Sequence, residues 1–571
     1  MIKHLTSLFI YSLLAGLSLP VNAQYLEKKN YPQRYFQWPV GAKIALVANF
    51  GELRPNHFHM GLDCRTEQVE NKPVYAAADG YIAKVKIEPW GFGRAIYVNH
   101  PNGLTSLYAH LNNFYPALEK YIKEQQYLLQ KWNVFLDIPA NLFPVNKGSV
   151  IAYSGNTGGS QGPHVHFEIR DTKTDNVLNP LLMAFPIADN IAPKILRLAV
   201  YDRCKSTYEQ TPKIYPLKIV NGVYVPASGK LLVNTEKVSF AITSYDQYTG
   251  STNQNGIYEA VLYDNNNPVA GFQLDSISYQ ETRYLNAHID YKLRAAGGTY
   301  LQHLSRLPGN HSTIYKTDKT NGIIDFEDEK THAIKITVSD PNGNTSAIRF
   351  DITSTGTSPI RAAIPAQEQK QFHPGFINIF ENERVRFFLG ETALYDSFNF
   401  RYNETKDIKG KPVYQVHNAT VPLHTYFSLK IKEDFLPADT GKIVMHRFYG
   451  AKKDYTKAIF ENGWYKASFR EMGNFQLMVD SAAPAVAAIG FYNNMNAAKL
   501  TRLLFVVTDN TEEIKNFTAL LDGKWLRFSN DKGRNFIYQF DEHCPPGQHE
   551  LVITAEDQVG NITKKIYNFT R

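Results

Sequence analysis

Short apolar runs separated by turn residues dominate the chain. The runs are rich in Val, Ile, Tyr and Phe, and Asn-Gly, Asp-Gly and Gly-Gly pairs lie between them. Runs of this length and composition favour strands, and the intervening dipeptides favour tight turns. The pattern therefore predicts an all-β protein built from antiparallel strands.

A stretch near residue 100 shows this pattern most clearly. Tyr81–Ile87 alternates as a strand, Ala95–Val98 forms a second strand, and Thr105–Leu111 forms a third. Gly91-Phe92-Gly93 and Asn102-Gly103 supply the turns between them. We expect an antiparallel meander, one face of which can support a functional site.

One segment departs from the strand pattern. Between residues 112 and 145, larger side chains recur every three or four positions, which is typical of an amphipathic helix. The residues at this spacing are Ala117, Leu118, Tyr121, Ile122, Gln125, Leu128, Leu129 and Trp132. We predict a helical insertion here, with a buried apolar stripe of Leu118, Tyr121, Ile122, Leu128 and Leu129. Pro139 and Pro144 then return the chain to extended structure.

Two parts of the chain beyond residue 187 share the same order of sequence motifs, which we call a frame. Asp189–Pro193 and Asp480–Pro484 each lead into an apolar run, and Asp340–Asn344 and Asp557–Asn561 each join two strands. A β-sandwich closed by a hairpin has this outline, and the frame resembles that of bacterial immunoglobulin-like modules. A further β-rich segment lies between the two copies. We interpret it as another sandwich.

These features divide the chain into five parts. The predicted parts are residues 1–23 as a signal peptide, 24–187 as a β domain with a helical insertion at about 112–145, 188–355 as an immunoglobulin-like sandwich, 356–479 as a β-rich sandwich and 480–571 as a second immunoglobulin-like sandwich.

The first residues have the pattern of a secretory signal peptide. Lys3 and His4 precede an apolar run at 8–19, and Val21-Asn22-Ala23 offers a small-residue cleavage site. The mature chain would start at Gln24. A membrane anchor is the disfavoured alternative, because this run is too short to span a bilayer and no later run is long enough. No cysteine follows the cleavage site to carry a lipid.

Charge and cysteine content narrow the class of protein. The formal charge of +7 falls to +6 without Lys3 and contains no concentrated basic block, so nucleic-acid binding is not indicated. A hydrophobic content of 43% with 20% charged residues is that of a globular protein. Cys64, Cys204 and Cys544 are odd in number and far apart, which gives neither a disulfide framework nor a metal-binding pair. A single disulfide between two of these three cysteines stays an open alternative.

Four segments between residues 54 and 170 carry the chemistry. His59 and Asp63 lie four apart in the first, and His110 follows Tyr108-Ala109 in the second. The third is the glycine-rich turn of residues 154–163. It runs into the fourth, a strand in which His164 and His166 share one face while the residues between and after them face the core. Two imidazoles are therefore aimed at one point.

Zinc suits this set of residues. It takes imidazole nitrogen and carboxylate oxygen in a tetrahedron, and its catalytic sites have three protein ligands. His59, Asp63 and one histidine of the strand would supply them. The histidines left over can handle protons, since their unperturbed pKa lies near neutral pH.

Together these motifs resemble those of the LytM/lysostaphin-type zinc endopeptidases. Their signatures are H-x-x-x-D, a later Y-x-H, and a G-N-T-G … G-P-H-x-H-F-E strand, and the similarity covers about residues 39–182. The resemblance implies that His59, Asp63 and His166 bind one zinc ion. It also implies that His110 and His164 assist water and the transition state, without showing which of them takes the proton.

The resemblance further implies an exported enzyme that cuts peptides of peptidoglycan. A bacterial periplasm or envelope is expected, secretion is an alternative, and the expected bond is a D-alanyl–diaminopimelate cross-link rather than a glycine bridge. The rival function is a catalytically idle envelope scaffold, or an activator of other wall hydrolases. Three roles stay open for the C-terminal sandwiches: they bind glycans, hold an envelope protein partner, or space the enzyme from the membrane.

Several residues have alternative interpretations. His57 has no carboxylate four residues on, so we expect a surface position or a supporting role, and His100 is expected to cap a turn. Glu168 shares a strand face with His166, but a supporting role for it is the weaker interpretation. The helical insertion forms either a lid over the site or a stabilising element that packs on the domain's flank or on the first sandwich.

Overall fold

A computed structural model of the chain describes residues 25–356, 370–435 and 437–571. The expected signal peptide, residues 1–23, lies outside this described part. Strands make up most of the regular structure, which confirms the all-β prediction. None of the helices described is both long enough and apolar enough to cross a membrane.

The N-terminal domain consists of short strands and a helix. They are β1 (Leu46–Ala48), β2 (Leu53–Arg54), β3 (His57–Phe58), β4 (Leu62–Arg65), β5 (Pro73–Tyr75), β6 (Gly80–Ile87), β7 (Arg94–Asn99), β8 (Leu104–Ala109), β9 (Leu111–Phe114), α1 (Pro116–Leu129), β10 (Val134–Asp137), β11 (Pro144–Val145), β12 (Val150–Ser154), β13 (His164–Asp171) and β14 (Val177–Leu178).

The predicted meander is present as β6, β7 and β8, each paired antiparallel with the next. The third strand is shorter than predicted. It ends at Ala109, because His110 has a φ of 60° that separates β8 from β9. At this break the His110 side chain leaves the alternation of the strand. A positive φ is uncommon for residues other than glycine, and it is kept where contacts with neighbouring residues hold the backbone.

The main sheet has the order β1-β4-β13-β8-β7-β6-β10, and β5-β12-β9 form a second sheet. On β13, Val165 and Phe167 are fully buried in the core, as predicted. Since side chains alternate along a strand, His164 and His166 lie on the opposite face. That face forms the floor of the candidate site.

Helix α1 confirms the predicted insertion but not all of its buried stripe. It begins at Pro116, whose missing N–H suits a first helical turn, and Leu118 and Ile122 are buried. Leu128 and Leu129 are 75% and 50% exposed, so the prediction that they are buried was wrong. The helix passes beyond the core in its last turn, and Gln126 is its last buried residue.

The segment after residue 188 folds as a β-sandwich. The strand Lys213–Val220 links its two layers, since residues 213–216 pair with the strand Lys194–Asp202 and residues 217–220 pair with Val223–Pro226. The other strands are Leu231–Val233, Lys237–Tyr245, Glu259–Asp264, Asn267–Gln273, Ser276–Ile277, Gln302–His303, Tyr315–Thr317, Ile324–Asp325, His332–Ser339 and Thr345–Ser354, with helices Leu285–His288 and Tyr291–Ala295.

Two further sandwiches follow, each with its own hydrophobic core. The third segment contains Lys370–Phe372, Asn378–Glu381, Val385–Leu389, Phe398–Phe400, Tyr402–Lys406, Pro412–Val416, Phe427–Ile431, Ile443–Tyr449, Lys452–Lys457, Ile459–Glu461, Trp464–Phe469 and Gly473–Val479. The C-terminal segment contains Ala485–Ala488, Met495–Asn496, Arg502–Thr508, Ile514–Leu521, Lys524–Trp525, Asn535–Gln539, Gln548–Asp557 and Ile562–Thr570. The sandwich prediction is confirmed; the domain boundaries and the immunoglobulin-like topology stay predictions.

The N-terminal domain contacts two of the sandwiches. It shares one hydrophobic core with the first, and β14 pairs with the strand Ser276–Ile277. The C-terminal sandwich packs on helix α1, where Lys123 contacts Asp541 at 2.7 Å and Tyr127 stacks on His543. Both sandwiches therefore lie beside the N-terminal domain. All three cysteines are unpaired.

Candidate metal centre

Three donor atoms meet at the open face of the main sheet. Asp63 on β4 and His166 on β13 are direct partners in the antiparallel register, so their side chains project side by side. His59 follows β3 and reaches the same point. His59 Nε2, Asp63 Oδ1 and His166 Nδ1 form a triangle with sides of 2.9, 3.0 and 3.0 Å.

Hydrogen bonds on the far side of each imidazole orient these donors. His59 Nδ1 lies 2.7 Å from the carbonyl oxygen of Asn49, and His166 Nε2 lies 2.8 Å from Glu168 Oε1. Both partners are acceptors, so these ring nitrogens carry the protons. The opposite nitrogens then present lone pairs to the triangle, the arrangement found around metal-bound histidines.

The charge of Asp63 also suits a cation. Burial alone would raise its pKa, but the three surrounding histidines, His59 foremost, hold the pKa well below its usual range. Arg54 donates to the other carboxylate oxygen at 3.3 Å. Two imidazole nitrogens and one carboxylate oxygen form a donor set that zinc takes readily. The residues present therefore fit a zinc ion.

His110 and His164 flank this triangle as a pair. Their ring centroids are 4.8 Å apart, and His164 Nε2 lies 3.4 Å from Asp63 Oδ1. The Nδ1 atom of each ring donates to a backbone carbonyl oxygen, that of Thr157 for His110 and that of Gly162 for His164. The Nε2 atoms are left for chemistry in the cleft.

Burial, together with the neighbouring imidazoles of His164 and His166, lowers the pKa of His110 to about 3, although Asp63 acts in the opposite direction. The His110 imidazole is consequently neutral at neutral pH. A neutral ring whose Nδ1 is protonated can accept a proton at Nε2.

The glycine-rich segment is a turn between β12 and β13, as predicted. Gly158 has a φ of 67°, and a Cβ atom there would lie 2.3 Å from the nitrogen of Gly93, so only glycine fits. From the C-terminal sandwich, Asp531 accepts a hydrogen bond from the Gly158 amide, and Lys532 Nζ donates to the Ser160 carbonyl oxygen at 2.9 Å. The turn that ends at His164 is thus held from another domain.

The three donors and the two flanking histidines line one cleft of about 1270 Å³. Sequence reasoning did not find two residues that the first sandwich contributes to its wall, Asn253 and Tyr279. Tyr279 donates to Glu168, the carboxylate that contacts His166. No local signal in the sequence marks either residue, because both come from another domain.

Other predicted residues lie elsewhere. His57 is exposed at the edge of the cleft, with its ring against the Pro55 carbonyl oxygen, and His100 is buried between the Asp79 carbonyl oxygen and Ser106. Among the described residues that line the cleft, none belongs to the insertion at 112–145. Helix α1 lies on the domain's flank and against the C-terminal sandwich, rather than against the first.

Comparisons with known proteins find similarity over parts of the chain. The family model described as "Peptidase family M23" matches residues 57–129, and the model described as "Zu5-like domain" matches residues 369–480. The DD-carboxypeptidase/endopeptidase Mpg of Neisseria meningitidis serogroup B is 34% identical over 128 residues, which are 22% of this chain and 23% of that protein.

Two other similar proteins cover a similar part of the chain. The peptidoglycan DD-endopeptidase ShyA of Vibrio cholerae is 26% identical over 181 residues, 30% of this chain and 36% of that protein. The catalytic domain of the prophage-encoded M23 protein EnpA from Enterococcus faecalis is 21% identical, with a TM-score of 0.19, over 25% of this chain and 95% of that one. The curated relatives are thus matched over a minor part of their length.

Proposed function

Because the chain carries a domain of peptidase family M23, we propose that it is a zinc-dependent endopeptidase that hydrolyses peptide cross-links of bacterial peptidoglycan. The observation that carries the proposal is the triangle of His59 Nε2, Asp63 Oδ1 and His166 Nδ1. We assign one zinc ion per chain to these three residues. Zinc bound there would supply the Lewis acidity that polarises a peptide carbonyl and activates water.

The residues beside the triangle divide the remaining work. His110 and His164 offer Nε2 atoms on the cleft side. One ring, neutral, accepts the proton of the attacking water at Nε2, and the other, with a proton on Nε2 as well as on Nδ1, donates to the carbonyl oxygen on which negative charge develops. Glu168 keeps His166 in the tautomer that presents Nδ1. The Asn49 carbonyl oxygen does the same for His59.

Peptidoglycan is proposed as the substrate because the matched relatives are named for it or for DD-endopeptidase activity. We propose a D-alanyl–diaminopimelate cross-link as the bond cleaved, in the periplasm or envelope of a bacterium. The lining of the open cleft comes from the peptidase domain and from the first sandwich, so both domains would contact a peptide bound there. A protein partner on the C-terminal sandwiches is a further part of the proposal.

Digestion of purified sacculi tests this function. When its digestion is followed by a muramidase that cuts the glycan strands, the full-length protein, loaded with zinc, should release cross-linked peptides as muropeptide monomers with new D-alanine carboxyl ends, identified by mass spectrometry. Asp63→Asn should abolish the release, while Asp137→Asn, which changes an exposed carboxylate on β10, should not. If the zinc-loaded protein leaves sacculi intact and instead activates an added wall hydrolase, the scaffold function replaces the proposal.

A further inference from the structure

Two groups of three carboxylates lie in the sandwiches, outside the cleft. In each group, one oxygen from every residue lies within 4.8 Å of the other two. The first group is Asp189, Asp246 and Asp340; the second is Asp480, Asp509 and Asp557. The peptidase chemistry uses neither group.

Both groups are built from the same three places in a sandwich. The first aspartate lies where the chain enters the sandwich, the second directly follows a strand, and the third opens the closing turn. The strands before the second aspartates are Lys237–Tyr245 and Arg502–Thr508. The fold therefore brings together residues that are distant in sequence, and it does so twice.

The closing turns match in detail. Asn344 Nδ2 donates to Asp340 Oδ2 at 2.7 Å, and Asn561 Nδ2 donates to Asp557 Oδ2 at the same distance. The backbone amides of these asparagines donate to the other carboxylate oxygens at 2.9 and 2.8 Å. Each turn thus holds its aspartate in one orientation.

The other aspartates carry oxygens without donors. Asp246 has no exposed surface, and neither of its carboxylate oxygens has a hydrogen-bond partner among the described residues; the nearby amide of Gln247 is out of bonding geometry. Asn255 pairs with Asp246 across an antiparallel bridge, so their side chains share a face, and its buried Oδ1 also lacks a donor. In the second group, the buried Asp480 has an unpartnered Oδ2.

Such oxygens need a positive partner. Burying a carboxylate without a hydrogen bond or a counter-charge is costly, and three together repel one another. No lysine or arginine forms a salt bridge with any of the six aspartates within the described residues. Carboxylate and amide oxygens without nitrogen or sulfur are the ligands of calcium, whose flexible coordination accepts several carboxylates, whereas magnesium favours few protein ligands and bound water.

We propose that each group binds one calcium ion, which fastens the sandwich to the domain that precedes it. Asp189 and Asp480 lie at two of the three predicted domain boundaries, and the Asp480 amide donates to the carbonyl oxygen of Lys442 in the preceding domain. A calcium ion in either group would join the chain at this boundary to the body of the sandwich.

The first calcium site also connects to the peptidase cleft. The loop that follows Asp246 carries Asn253 and Gly256, and the Gly256 carbonyl oxygen accepts a hydrogen bond of 2.8 Å from Asn49. The carbonyl oxygen of Asn49 orients His59. Calcium would therefore stiffen a loop that supports a residue of the metal centre, although its binding does not depend on peptidase activity.

Calcium binding to the full-length protein tests the proposal. After treatment with EGTA and its removal, calcium chloride is titrated by calorimetry, and bound calcium is counted by mass spectrometry after equilibrium dialysis. We expect two calcium ions per chain in the wild type, and one each in Asp246→Asn and Asp509→Asn. The matched control Asp351→Asn, which changes an exposed carboxylate on Thr345–Ser354, should keep two.

Calcium should also raise the melting temperature of the wild type, and less so that of each variant. The two substitutions lie in different sandwiches. If circular dichroism shows that one variant is misfolded, the calcium content of the other variant still tests the proposal. No calcium bound to the wild type, or two ions retained in both variants, would overturn the proposal. Magnesium that binds equally tightly at both sites would overturn the choice of calcium.

Discussion

Tyr279 donates a hydrogen bond of 2.5 Å to Glu168, although 111 residues separate them along the chain. Glu168 in turn accepts a hydrogen bond from His166 Nε2. Tyr279, a residue of the first sandwich, is therefore linked to the metal centre through the single side chain of Glu168. Arg170 donates to the other oxygen of Glu168. The position of His166 therefore depends on contacts that cross between domains.

Tyr279→Phe should weaken metal binding without unfolding the protein. Loss of this donor loosens the carboxylate that holds His166, and changes to such supporting contacts cost up to roughly 10–100-fold in metal affinity or activity. Competition with a zinc chelator measures the affinity. Tyr492→Phe, which alters an exposed tyrosine, is the matched control. Unchanged zinc affinity and activity in Tyr279→Phe would show that Arg170 alone positions Glu168.

Replacing His110 or His164 should separate catalysis from metal binding. Neither residue belongs to the triangle, so His110→Ala and His164→Ala should keep nearly all zinc while peptide hydrolysis falls by roughly 10²–10⁴-fold, the range for general acid–base groups. Zinc content and turnover of a cross-linked peptide are measured on the same sample. Joint loss of zinc and activity would show that the replaced histidine is itself a zinc ligand.

Lys532 should influence how the cleft holds a substrate. Its ammonium donates to Ser160, within the turn that leads into His164, and its removal frees that turn on one side. Because a charged hydrogen bond contributes about 1.5–3 kcal/mol, we expect Lys532→Ala to raise KM several-fold with a smaller change in kcat. Lys524→Ala, an exposed lysine of the same sandwich, should change neither. Identical kinetics of both variants would show that the C-terminal sandwich does not influence substrate binding at the site.

Substitutions in the middle and in the last turn of α1 should differ sharply in their effect on the stability of the protein. Ile122 is 1% exposed, so Ile122→Ala should destabilise the protein by about 2–4 kcal/mol through lost contacts and a cavity. Leu128 is 75% exposed, so Leu128→Ala should change stability by less than about 0.5 kcal/mol. Denaturant unfolding followed by fluorescence compares the two. Equal losses would mean that the exposed leucines are covered.

Local pattern was enough to predict that several of the candidate side chains lie together. Alternation on β13 placed His164 and His166 on one face, and the spacing of His59 and Asp63 brought both to the same point. Residues in one strand or one short loop keep a fixed relation whatever the rest of the chain does. The glycine-rich turn between β12 and β13 was likewise predicted from local sequence alone.

Contacts between domains could not be predicted in this way. The burial of α1 was overestimated, because periodicity shows which face is apolar but not where the core ends; Leu129 lies beyond that edge. Tyr279 reaches the cleft, and Lys532 reaches the turn beside it, through the packing of whole sandwiches on the peptidase domain. No spacing in the sequence records that packing. The break of β8 at His110 likewise depends on surrounding contacts rather than on its own sequence.

Zinc-dependent activity is the most direct test of the proposed peptidase. The full-length protein is stripped of zinc with 1,10-phenanthroline, freed of the chelator and titrated with zinc. Release of muropeptide monomers from the treated sacculi, after muramidase digestion of the glycan strands, is followed by mass spectrometry. We predict no release from the stripped protein, and activity that rises with added zinc up to one equivalent per chain. His166→Ala should not recover at the same zinc concentrations. Full activity of the stripped protein, or none at any zinc concentration, would contradict the account.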